Sequence, residues 1–366
     1  MSNEKTHNTS TETVVVGMSG GVDSSVSALL LKQQGYRVIG LFMKNWEEKD
    51  EHGVCTSAVD FDDVKRVCDA IDIPYYTVNF VEEYRAQVFA QFIADFQKGL
   101  TPNPDVLCNR EIKFKVFLER ALALGADYLA TGHYCQNHLI DGEHHLIKGI
   151  DKQKDQTYFL YTLNRSILKK VLFPIGGIEK EEVRKIARQN NLATSEKKDS
   201  TGICFIGERH FRTFLSQYIA LQPGNFETTE GKIVGKHQGA AYYTLGQRKG
   251  LGIGGAGDAW FVVGKDMQRN AVIVVQGTDH PLLYSDALIA TDLSWVSGSP
   301  PSPPFVCASK VRYRQEDHPC VIEKIEGGNM HVRFFHPQRA VTPGQSIVIY
   351  DGSICLGGGV IIPNTK

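Results

Sequence analysis

The sequence lacks several features that would assign it to a familiar class of protein. No apolar run reaches the roughly 18–20 residues that a membrane-spanning helix requires. The eight cysteines include no Cys-x-x-Cys pair and are too sparse for a disulfide framework, so we expect mostly inert thiols in a cytoplasmic protein. Residues 1–12 are polar, without the apolar segment of a signal peptide, and we expect a disordered tail there. The formal net charge of −1 gives no sign of a polyanionic partner.

What is present is an ordinary globular composition with a local imbalance of charge. The chain of 366 residues is 42% hydrophobic and 22% charged, and at about 100–200 residues per domain it is long enough for two or three domains. Residues 152–212 carry 13 basic and 7 acidic side chains. This excess predicts a surface that meets phosphates, and a solvated helical face is the alternative interpretation.

The first half of the chain alternates buried apolar runs with amphipathic segments. Predicted strands cover 13–18, 36–43, 75–80 and 126–134, and predicted helices cover 24–35, 57–71, 81–99 and 110–125. This alternation predicts an α/β fold, with a parallel, doubly wound sheet that binds ligands at the carboxyl ends of its strands. Residues 164–219 are predicted to be helical and rich in loops. Beyond them, β-branched and aromatic runs between glycine-rich turns predict β structure to the C-terminus.

A glycine-rich turn joins the first predicted strand to the first predicted helix. The segment GMSGGVDSS, residues 17–25, combines flexible glycines with hydroxyl groups and a helix N-terminus, whose free N–H groups and dipole favour phosphate. No lysine follows the glycines, so this is not a Walker A loop, and it is not GxGxxG. A tight turn with an N-cap serine or aspartate is the purely structural alternative.

The string SGGVDSS resembles the loop of the ATP pyrophosphatase (PP-loop) superfamily, whose members cleave ATP between its α and β phosphates. The resemblance implies an adenine nucleotide alpha hydrolase-like domain that uses ATP and Mg²⁺, with Asp23 helping to hold the metal. The nucleotide-binding residues implied in this way are Gly17, Met18, Ser19, Gly20, Gly21, Val22, Asp23, Ser24, Met43 and Gly132.

Two cysteines lie in unusual polar surroundings. Cys108 follows the prolines of TPNPDVLCN, which predict a stiff loop, and Arg110 and Lys113 follow it. Cys204 lies in KKDSTGICFIGERHF, between glycines and basic residues. Cationic neighbours stabilise the thiolate, so the pair predicts one cysteine that bears a transferable group and one that resolves it by disulfide exchange. Buried thiols, or a zinc site that includes HGVC at 52–55, are the alternatives.

Several segments together resemble one family, the bacterial tRNA 2-thiouridylases. They are GMSGGVDSSV, GLFMKNWEE, TPNPDVLCNREIKF, ATGHY, KDQTYFLYTL, KKDSTGICFIGER, LGQRKGLGIGG and VTPGQ, in order from about residue 14 to residue 362. The resemblance implies a PP-loop domain, a small central β-rich domain and a C-terminal β-barrel. With the changes of composition along the chain, it predicts a tail at 1–12 and domains at 13–215, 216–282 and 283–366, the last of which binds tRNA.

The same resemblance implies a reaction and a set of roles. The family makes 2-thiouridine at the wobble position of the tRNAs for glutamine, lysine and glutamate, with sulfur that originates at a cysteine desulfurase, directly or through relay proteins. Cys204 would carry a persulfide, Cys108 would release hydrosulfide from it or resolve it, and Asp105 would act as general acid or base. The implied tRNA contacts are Asn103, Pro104, Asp105, His133, Lys154, Asp155, Gln156, Arg312, Tyr313 and Gln345.

Two other functions are compatible with parts of this pattern. A PP-loop ligase or amidotransferase would share the ATP-binding half but would need an ammonia source and no second loop cysteine. A non-catalytic RNA-binding sulfur carrier would bind tRNA without cleaving ATP. Turnover of ATP distinguishes these alternatives.

Overall fold

The computed structural model describes residues 12–47, 56–199 and 211–363. Of the predicted tail only Glu12 belongs to these ranges, and Cys204 lies outside them. The chain forms two compact units, which are described separately. The first unit comprises Met1–Tyr84, Asn109–Thr157 and Arg165–Ser200, and the second comprises Arg85–Cys108, Tyr158–Asn164 and Thr201–Lys366.

The strands of the described residues are numbered in chain order. They are β1 Thr13–Met18, β2 Arg37–Lys44, β3 Tyr75–Asn79, β4 Tyr128–Ala130, β5 Cys135–Ile140, β6 Glu143–Lys148, β7 Val171–Leu172, β8 Gly224–Glu227, β9 Ile233–His237, β10 Trp260–Asp266, β11 Ala271–Gln276, β12 Tyr284–Trp295, β13 Phe305–Lys310, β14 His318–Glu326, β15 Asn329–Arg339, β16 Ser346–Asp351 and β17 Ile354–Ile361.

The α-helices of the described residues are numbered in the same way. They are α1 Val22–Gln33, α2 Thr56–Ala70, α3 Val81–Tyr84, α4 Ala90–Gln97, α5 Pro104–Leu107, α6 Leu118–Ala123, α7 Arg165–Leu168, α8 Lys180–Gln189 and α9 Phe211–Leu215. Segments of π-helix, Arg85–Phe89 and Cys108–Phe117, join α3 to α4 and α5 to α6, and single 3₁₀ turns form at Thr157–Phe159, Ala240–Tyr242 and Pro281–Leu283. Within the described ranges, no helix combines the length and apolar character that crossing a membrane requires.

The first unit is built on a parallel sheet in the order β3-β2-β1-β4-β7. Its central strand β1 is lined by Val14, Val15 and Val16, none of which is exposed to water. Three consecutive buried β-branched residues are typical of a parallel strand that is covered on both faces. The predicted α/β fold is confirmed. Because β2 and β4 lie on opposite sides of β1, the carboxyl end of β1 is the switch point at which such sheets bind ligands.

The strand predicted at 126–134 is shorter than expected. Only Tyr128–Ala130 belongs to β4, and the chain then turns and begins β5, which pairs with β6 as an antiparallel hairpin. The turn passes close to the start of α1. A Cβ added at Gly132 would lie 2.8 Å from the carbonyl carbon of Asp23 and from the nitrogen of Ser24. The backbones of the turn and of α1 are so close that only glycine fits at position 132, and the strand ends before this turn.

The stiff loop predicted at 101–109 is wrong in its second half, because a helix begins there. Asn103 is the N-cap residue, and its side-chain oxygen accepts a hydrogen bond from the Val106 N–H at 3.4 Å. Pro104 occupies the first helical turn, where the missing N–H of proline is harmless and its fixed φ is favourable. Cys108 therefore lies on a helix, at the boundary between α5 and the π segment Cys108–Phe117.

The second unit contains two β structures, which confirms the predicted central β-rich domain and C-terminal barrel. Strands β10, β11, β8 and β9 form a four-stranded sheet in that order. Strands β12, β15, β14, β13, β16 and β17 follow one another around a barrel, which the antiparallel pairing of β12 with β17 closes. Buried residues including Ile322, Val332 and Ile347 fill its core. The predicted boundaries near 215 and 282 stay predictions, since both β structures belong to the second unit.

Strands β13 and β14 place two cysteines opposite each other. Cys307 and Cys320 are register partners, and their Sγ atoms are 3.6 Å apart. Cys320 is fully buried in the barrel core, whereas Cys307 is half-buried. Neither thiol was singled out by the sequence.

Candidate functional site

The loop that follows β1, residues 17–25, forms a tight turn into α1 and is called the phosphate loop below. Gly20 has a φ of +73°, and a Cβ added there would lie 2.5 Å from the carbonyl oxygen of Asp60. The Ser19 N–H donates to Ser24 Oγ at 3.2 Å, and the Gly21 N–H donates to Ser19 Oγ at 3.3 Å. Hydroxyl groups and backbone N–H groups therefore surround the N-terminus of a twelve-residue helix, an arrangement that suits a phosphate group.

Asp23, in the first turn of α1, is held by partners from two other segments of the first unit. Lys180 Nζ lies 2.7 and 2.8 Å from the two carboxylate oxygens of Asp23, and the Tyr134 hydroxyl donates to Oδ1 at 2.7 Å. Burial and the nearby Asp23 carboxylate raise the pKa of Tyr134, so this hydroxyl keeps its proton. Lys180 is only 8% exposed. A single buried cation thus neutralises the carboxylate beside the phosphate loop.

Lys180 also contacts a second carboxylate, that of Asp199, at 2.9 Å. Arg184 and Lys154 bind the same carboxylate at 2.7 and 2.8 Å. Burial alone would raise the pKa of Asp199, but hydrogen bonds from Lys154 and Lys180 lower it to about 2. The Asp151 carboxylate joins the cluster by accepting a hydrogen bond from the Lys180 N–H at 3.1 Å, so three cations and three carboxylates form one network beside the phosphate loop.

Sequence reasoning missed Lys180, Tyr134 and Asp199 as members of this cluster. Asp199 and Tyr134 lie inside two of the family motifs, KKDSTGICFIGER and ATGHY, but the motifs alone do not reveal a role for them. Lys180 carries one weak signal, since a lysine at the first position of a helix opposes the helix dipole. Such a lysine indicates a nearby negative partner.

The turn after β4 presents Gly132 and His133, both predicted site residues. His133 is 8% exposed, its Nδ1 lies 2.8 Å from Thr131 Oγ1, and its ring packs near Phe114 and Phe173. Burial, reinforced by Lys113, lowers the pKa of His133 well below its ordinary value. The imidazole is therefore neutral, and the predicted RNA contact stays a prediction. Met43, the other residue predicted to flank the nucleotide, is half-buried in β2, the neighbour of β1.

The predicted tRNA contacts at 154–156 have internal partners in the structure. Lys154 binds Asp199, as described above. The buried Asp155 Oδ1 accepts hydrogen bonds from the Gly149 N–H at 3.2 Å and from the Thr157 hydroxyl at 3.0 Å. Gln156 Oε1 accepts from the Tyr134 N–H at 2.9 Å. These residues thus hold the turn that presents Tyr134 to Asp23.

The second unit contains the predicted cysteine and its neighbours. Cys108 is 1% exposed, and Asp105 is half-buried in the first turn of the same helix. Arg312 Nη2 donates to the carbonyls of Leu245 and Ala340, each at 3.0 Å. Tyr313, another of the implied tRNA contacts, packs near the Phe159 ring, with ring centroids 4.4 Å apart. Gln345 Nε2 donates to two carbonyls of the segment that precedes Asn103.

Metal ligands are sparse in the part of the chain that the structure describes. It contains no group of three or more His, Cys, Asp or Glu side chains placed to hold a metal ion. The segment HGVC at 52–55, which the zinc alternative invoked, lies outside the described residues. Mg²⁺ commonly binds through only one or two carboxylates together with phosphate oxygens. Both carboxylate oxygens of Asp23 contact Lys180 Nζ in this structure, so Mg²⁺ at Asp23 stays a prediction.

Three family models match consecutive parts of the chain. A model described as tRNA methyl transferase HUP domain matches residues 12–208, one described as tRNA methyl transferase PRC-barrel domain matches 212–276, and one described as aminomethyltransferase beta-barrel domain matches 285–361. A protein of Protochlamydia amoebophila (strain UWE25) named tRNA-specific 2-thiouridylase MnmA is 74% identical over 351 residues, which cover 96% of this chain and 93% of that protein. The chain belongs to the tRNA-specific 2-thiouridylase family. This confirms the family resemblance drawn from the motifs.

Other likenesses extend this result. The thiouridylase of Nitrosomonas eutropha (strain DSM 101675 / C91 / Nm57) is 60% identical over 352 residues, which cover 95% of this chain and 98% of that protein. Among solved structures, the U34-tRNA thiolase NcsA from Methanococcus maripaludis is 20% identical, with a TM-score of 0.35, and the match covers 57% of this chain and 65% of that one. A likeness this weak carries no argument about function. Membership of the thiouridylase family rests on the first two proteins and the family models.

Proposed function

We propose that this protein uses ATP to replace the C2 oxygen of the wobble uridine with sulfur in the tRNAs for glutamine, lysine and glutamate. The observation that carries the proposal is the phosphate loop at the end of β1, beside a network in which Lys180, Lys154 and Arg184 bind the carboxylates of Asp23 and Asp199. A helix N-terminus with cationic side chains close to it suits the pyrophosphate part of ATP.

The residues of the first unit bind and orient ATP. Backbone N–H groups of residues 19–21 and the hydroxyls of Ser19 and Ser24 hold the pyrophosphate. Met43 and Gly132, at the carboxyl ends of the strands on either side of β1, flank the adenosine. When bound, Mg²⁺ neutralises phosphate charge, and Asp23 is the residue that would hold it.

ATP is needed because the C2 oxygen of uracil is a poor leaving group. Attack of this oxygen on the α phosphate releases pyrophosphate and converts the oxygen into part of a phosphate ester. Sulfur can then add at C2, and AMP departs with the oxygen. The helix N-terminus and the cationic side chains near the phosphate loop stabilise the negative charge that develops on the leaving phosphates.

Two routes deliver sulfur from a persulfide on Cys204. In one, the Cys108 thiolate attacks Cys204 Sγ, a Cys108–Cys204 disulfide forms, and the released hydrosulfide attacks C2. In the other, the terminal persulfide sulfur attacks C2 directly, and Cys108 then cleaves the sulfur–sulfur bond to give the same disulfide and the thiocarbonyl. Both routes leave a disulfide that a thiol reductant must reopen.

The remaining roles concern the RNA. The wobble base must leave the anticodon stack to reach the enzyme, and Asn103, Pro104 and Asp105 contact it, with Asp105 as general acid or base. The other proposed RNA contacts are His133, Lys154, Asp155, Gln156, Arg312, Tyr313 and Gln345. The sulfur originates at a cysteine desulfurase and arrives directly or through relay proteins.

The first experiment follows the α phosphate. ATP labelled at that position is incubated with the enzyme and a sulfide donor, with and without unmodified glutamate tRNA, and AMP is separated from ADP. We expect labelled AMP only when the tRNA is present, and none from the Asp23→Asn variant. ADP, or AMP formed equally well without tRNA, would point to a PP-loop ligase or another ATP-using enzyme. No turnover at all would favour the non-catalytic RNA-binding carrier.

A further inference from the structure

The helical segment that begins at Pro104 and contains Cys108 is called the Cys108 helix below. The residues before it are hydrogen-bonded to one turn of the barrel, residues 343–345, which is called the barrel turn below. The Thr101 N–H donates to the Pro343 carbonyl at 2.9 Å. In return, Gln345 Nε2 donates to the Thr101 carbonyl at 2.8 Å and to the Pro102 carbonyl at 3.2 Å. One side-chain amide therefore satisfies two consecutive carbonyls directly before the helix N-cap.

The two segments approach each other too closely for a side chain at the middle of the barrel turn. Gly344 has a φ of +91°, and a Cβ added there would lie 2.8 Å from the Thr101 nitrogen and 3.0 Å from Leu100 Cβ. Glycine is required here because it adopts a positive φ without strain and because the gap between the two segments has no room for a side chain. The contact is thus built into the backbone as well as into the Gln345 side chain.

A buried tyrosine holds the strand that follows the barrel turn. The Tyr158 hydroxyl donates to the carbonyl of Ser346 at 2.9 Å, next to Gln345 in the chain. Tyr158 is 1% exposed, so this bond is shielded from water. The start of β16, directly after Gln345, is therefore fixed from inside the second unit.

We infer that the barrel turn positions the Cys108 helix, and that Gln345 acts as a positioning residue for Cys108 and Asp105. The inference rests on the proposed function for what these two side chains do. Residues 101–103 set the place at which the helix begins, and Asp105 and Cys108 lie in its first turns. A shift of the N-cap therefore moves both side chains together, and small displacements of reacting groups slow a reaction strongly.

The chemistry of Gln345 explains why an amide occupies this position. Its nitrogen supplies two N–H donors to two carbonyl acceptors. In Gln345→Glu, a carboxylate of the same shape would face those carbonyls without a donor, and in Gln345→Ala the carbonyls would lose their partner. Each change loosens the segment before Asn103 without altering the Cys108 helix itself.

The test measures the accessibility of Cys108 directly. Wild-type protein, Gln345→Ala and Gln345→Glu are treated with iodoacetamide under reducing conditions, and the alkylation of each cysteine is followed by peptide mass spectrometry. We expect Cys108 to react about tenfold faster in both variants, because the loss of two hydrogen bonds weakens the attachment of the segment before Asn103 by about 1.4 kcal/mol. The buried Cys68 and Cys355 report global unfolding and should keep their wild-type rates.

A glycine pair provides the matched control. Gly344→Ala and Gly298→Ala place the same methyl group at a φ of +91° and +86°, but a Cβ at Gly298 meets no atom within 4 Å. Backbone strain is therefore similar, and only the first substitution disturbs residues 100–101. We expect Gly344→Ala to accelerate alkylation of Cys108 and Gly298→Ala to leave it unchanged.

Kinetics separate positioning from a direct RNA contact. If Gln345 positions the helix, Gln345→Ala lowers the single-turnover rate of thiolation at saturating tRNA, whereas its proposed contact with RNA affects the Kd for tRNA. An unchanged saturating rate, or a wild-type rate of Cys108 alkylation, would overturn the inference. The alkylation result does not depend on turnover, so it stands even if the labelled-ATP experiment rejects the proposed function.

Discussion

At the scale of single residues, Lys180 shows what local sequence patterns leave out. Asp23 could be predicted from the loop motif, because its neighbours in the chain form that motif. Its partner Lys180 lies 157 positions away in the sequence and becomes visible only through the fold. The lysine bridges Asp23 and Asp199, so its removal would leave two carboxylates facing each other beside the site proposed for pyrophosphate.

The bridging lysine should therefore matter for stability and for ATP binding. We expect Lys180→Met to lower the free energy of unfolding by about 1–2 kcal/mol, less than for a fully buried pair because both carboxylates are partly hydrated. Urea unfolding and calorimetric titration with ATP measure the two effects. Lys185→Met is the control on the same helix, since the Lys185–Glu182 pair is exposed. Equal effects of the two substitutions would contradict the role given to Lys180.

The buried His133 predicts a dependence of stability on pH. Its pKa is lowered in the folded protein, by burial first and by Lys113 second, from an ordinary value of 6.5. As the pH falls below about 6.5, the unfolded chain binds a proton that the folded protein resists, so stability decreases. We expect wild-type protein to lose more stability between pH 7.5 and pH 5 than His133→Gln, measured by urea unfolding. The low pKa of Asp199 affects stability only at more acidic pH, below about 4.

If the free energy of unfolding depends on pH to the same extent in both proteins, then His133 titrates normally in the folded protein. That result would favour an accessible imidazole and strengthen the predicted contact with RNA.

At the scale of elements, the sequence predicts most of the strands and helices that have a regular hydrophobic pattern. Three consecutive buried valines identify β1, and the glycine-rich turn identifies the start of α1. The sequence does not predict the helix that begins at Pro104, because the two prolines in TPNPDVLCN are typical of a rigid loop. Pro104 in fact occupies the first helical turn, where proline is favoured, and Asn103 caps it. The tight turn at Gly132 could not be predicted either, because it depends on contact with α1.

That contact makes Gly132 a sensitive position. We expect Gly132→Ala to push the first turn of α1 away and to weaken ATP binding at least tenfold, the change that corresponds to about 1.4 kcal/mol. Calorimetric titration with ATP measures the loss. Gly177→Ala is the control, because an added Cβ there meets only the Gln136 side chain, at 3.8 Å. An unchanged Kd for Gly132→Ala would show that α1 tolerates the methyl group.

At the scale of the whole molecule, composition and motif order predict the α/β unit and the β-rich remainder, but the surplus of positive charge in 152–212 does not reveal how many of its side chains are paired. Many of its basic side chains are engaged in ion pairs of the described structure: Lys154, Arg165, Lys180, Arg184, Lys185, Arg188 and Lys197. Counting charges along the chain could not reveal these pairs, because several join residues that are distant in sequence.

The pairing changes what is expected of the salt dependence of tRNA binding. Each phosphate that a basic side chain neutralises contributes about 0.7–0.9 to the slope of log Kd against log salt concentration. We expect the affinity for tRNA to fall with potassium chloride, with a slope well below what all 13 basic side chains of 152–212 would produce. Filter binding over a series of salt concentrations measures it. A slope that matches the full count would mean that the ion pairs open on binding.

The facing thiols of Cys307 and Cys320 have a consequence for any attempt to follow the sulfur chemistry by weighing the protein. Closure of a Cys108–Cys204 disulfide after one round of thiolation would make the polypeptide lighter by two hydrogens. Air oxidation of the pair in the barrel, whose Sγ atoms lie 3.6 Å apart, would produce the identical loss. Intact-mass measurements should therefore be made on a Cys307→Ser background, in which a deficit of two hydrogens can no longer come from the barrel pair.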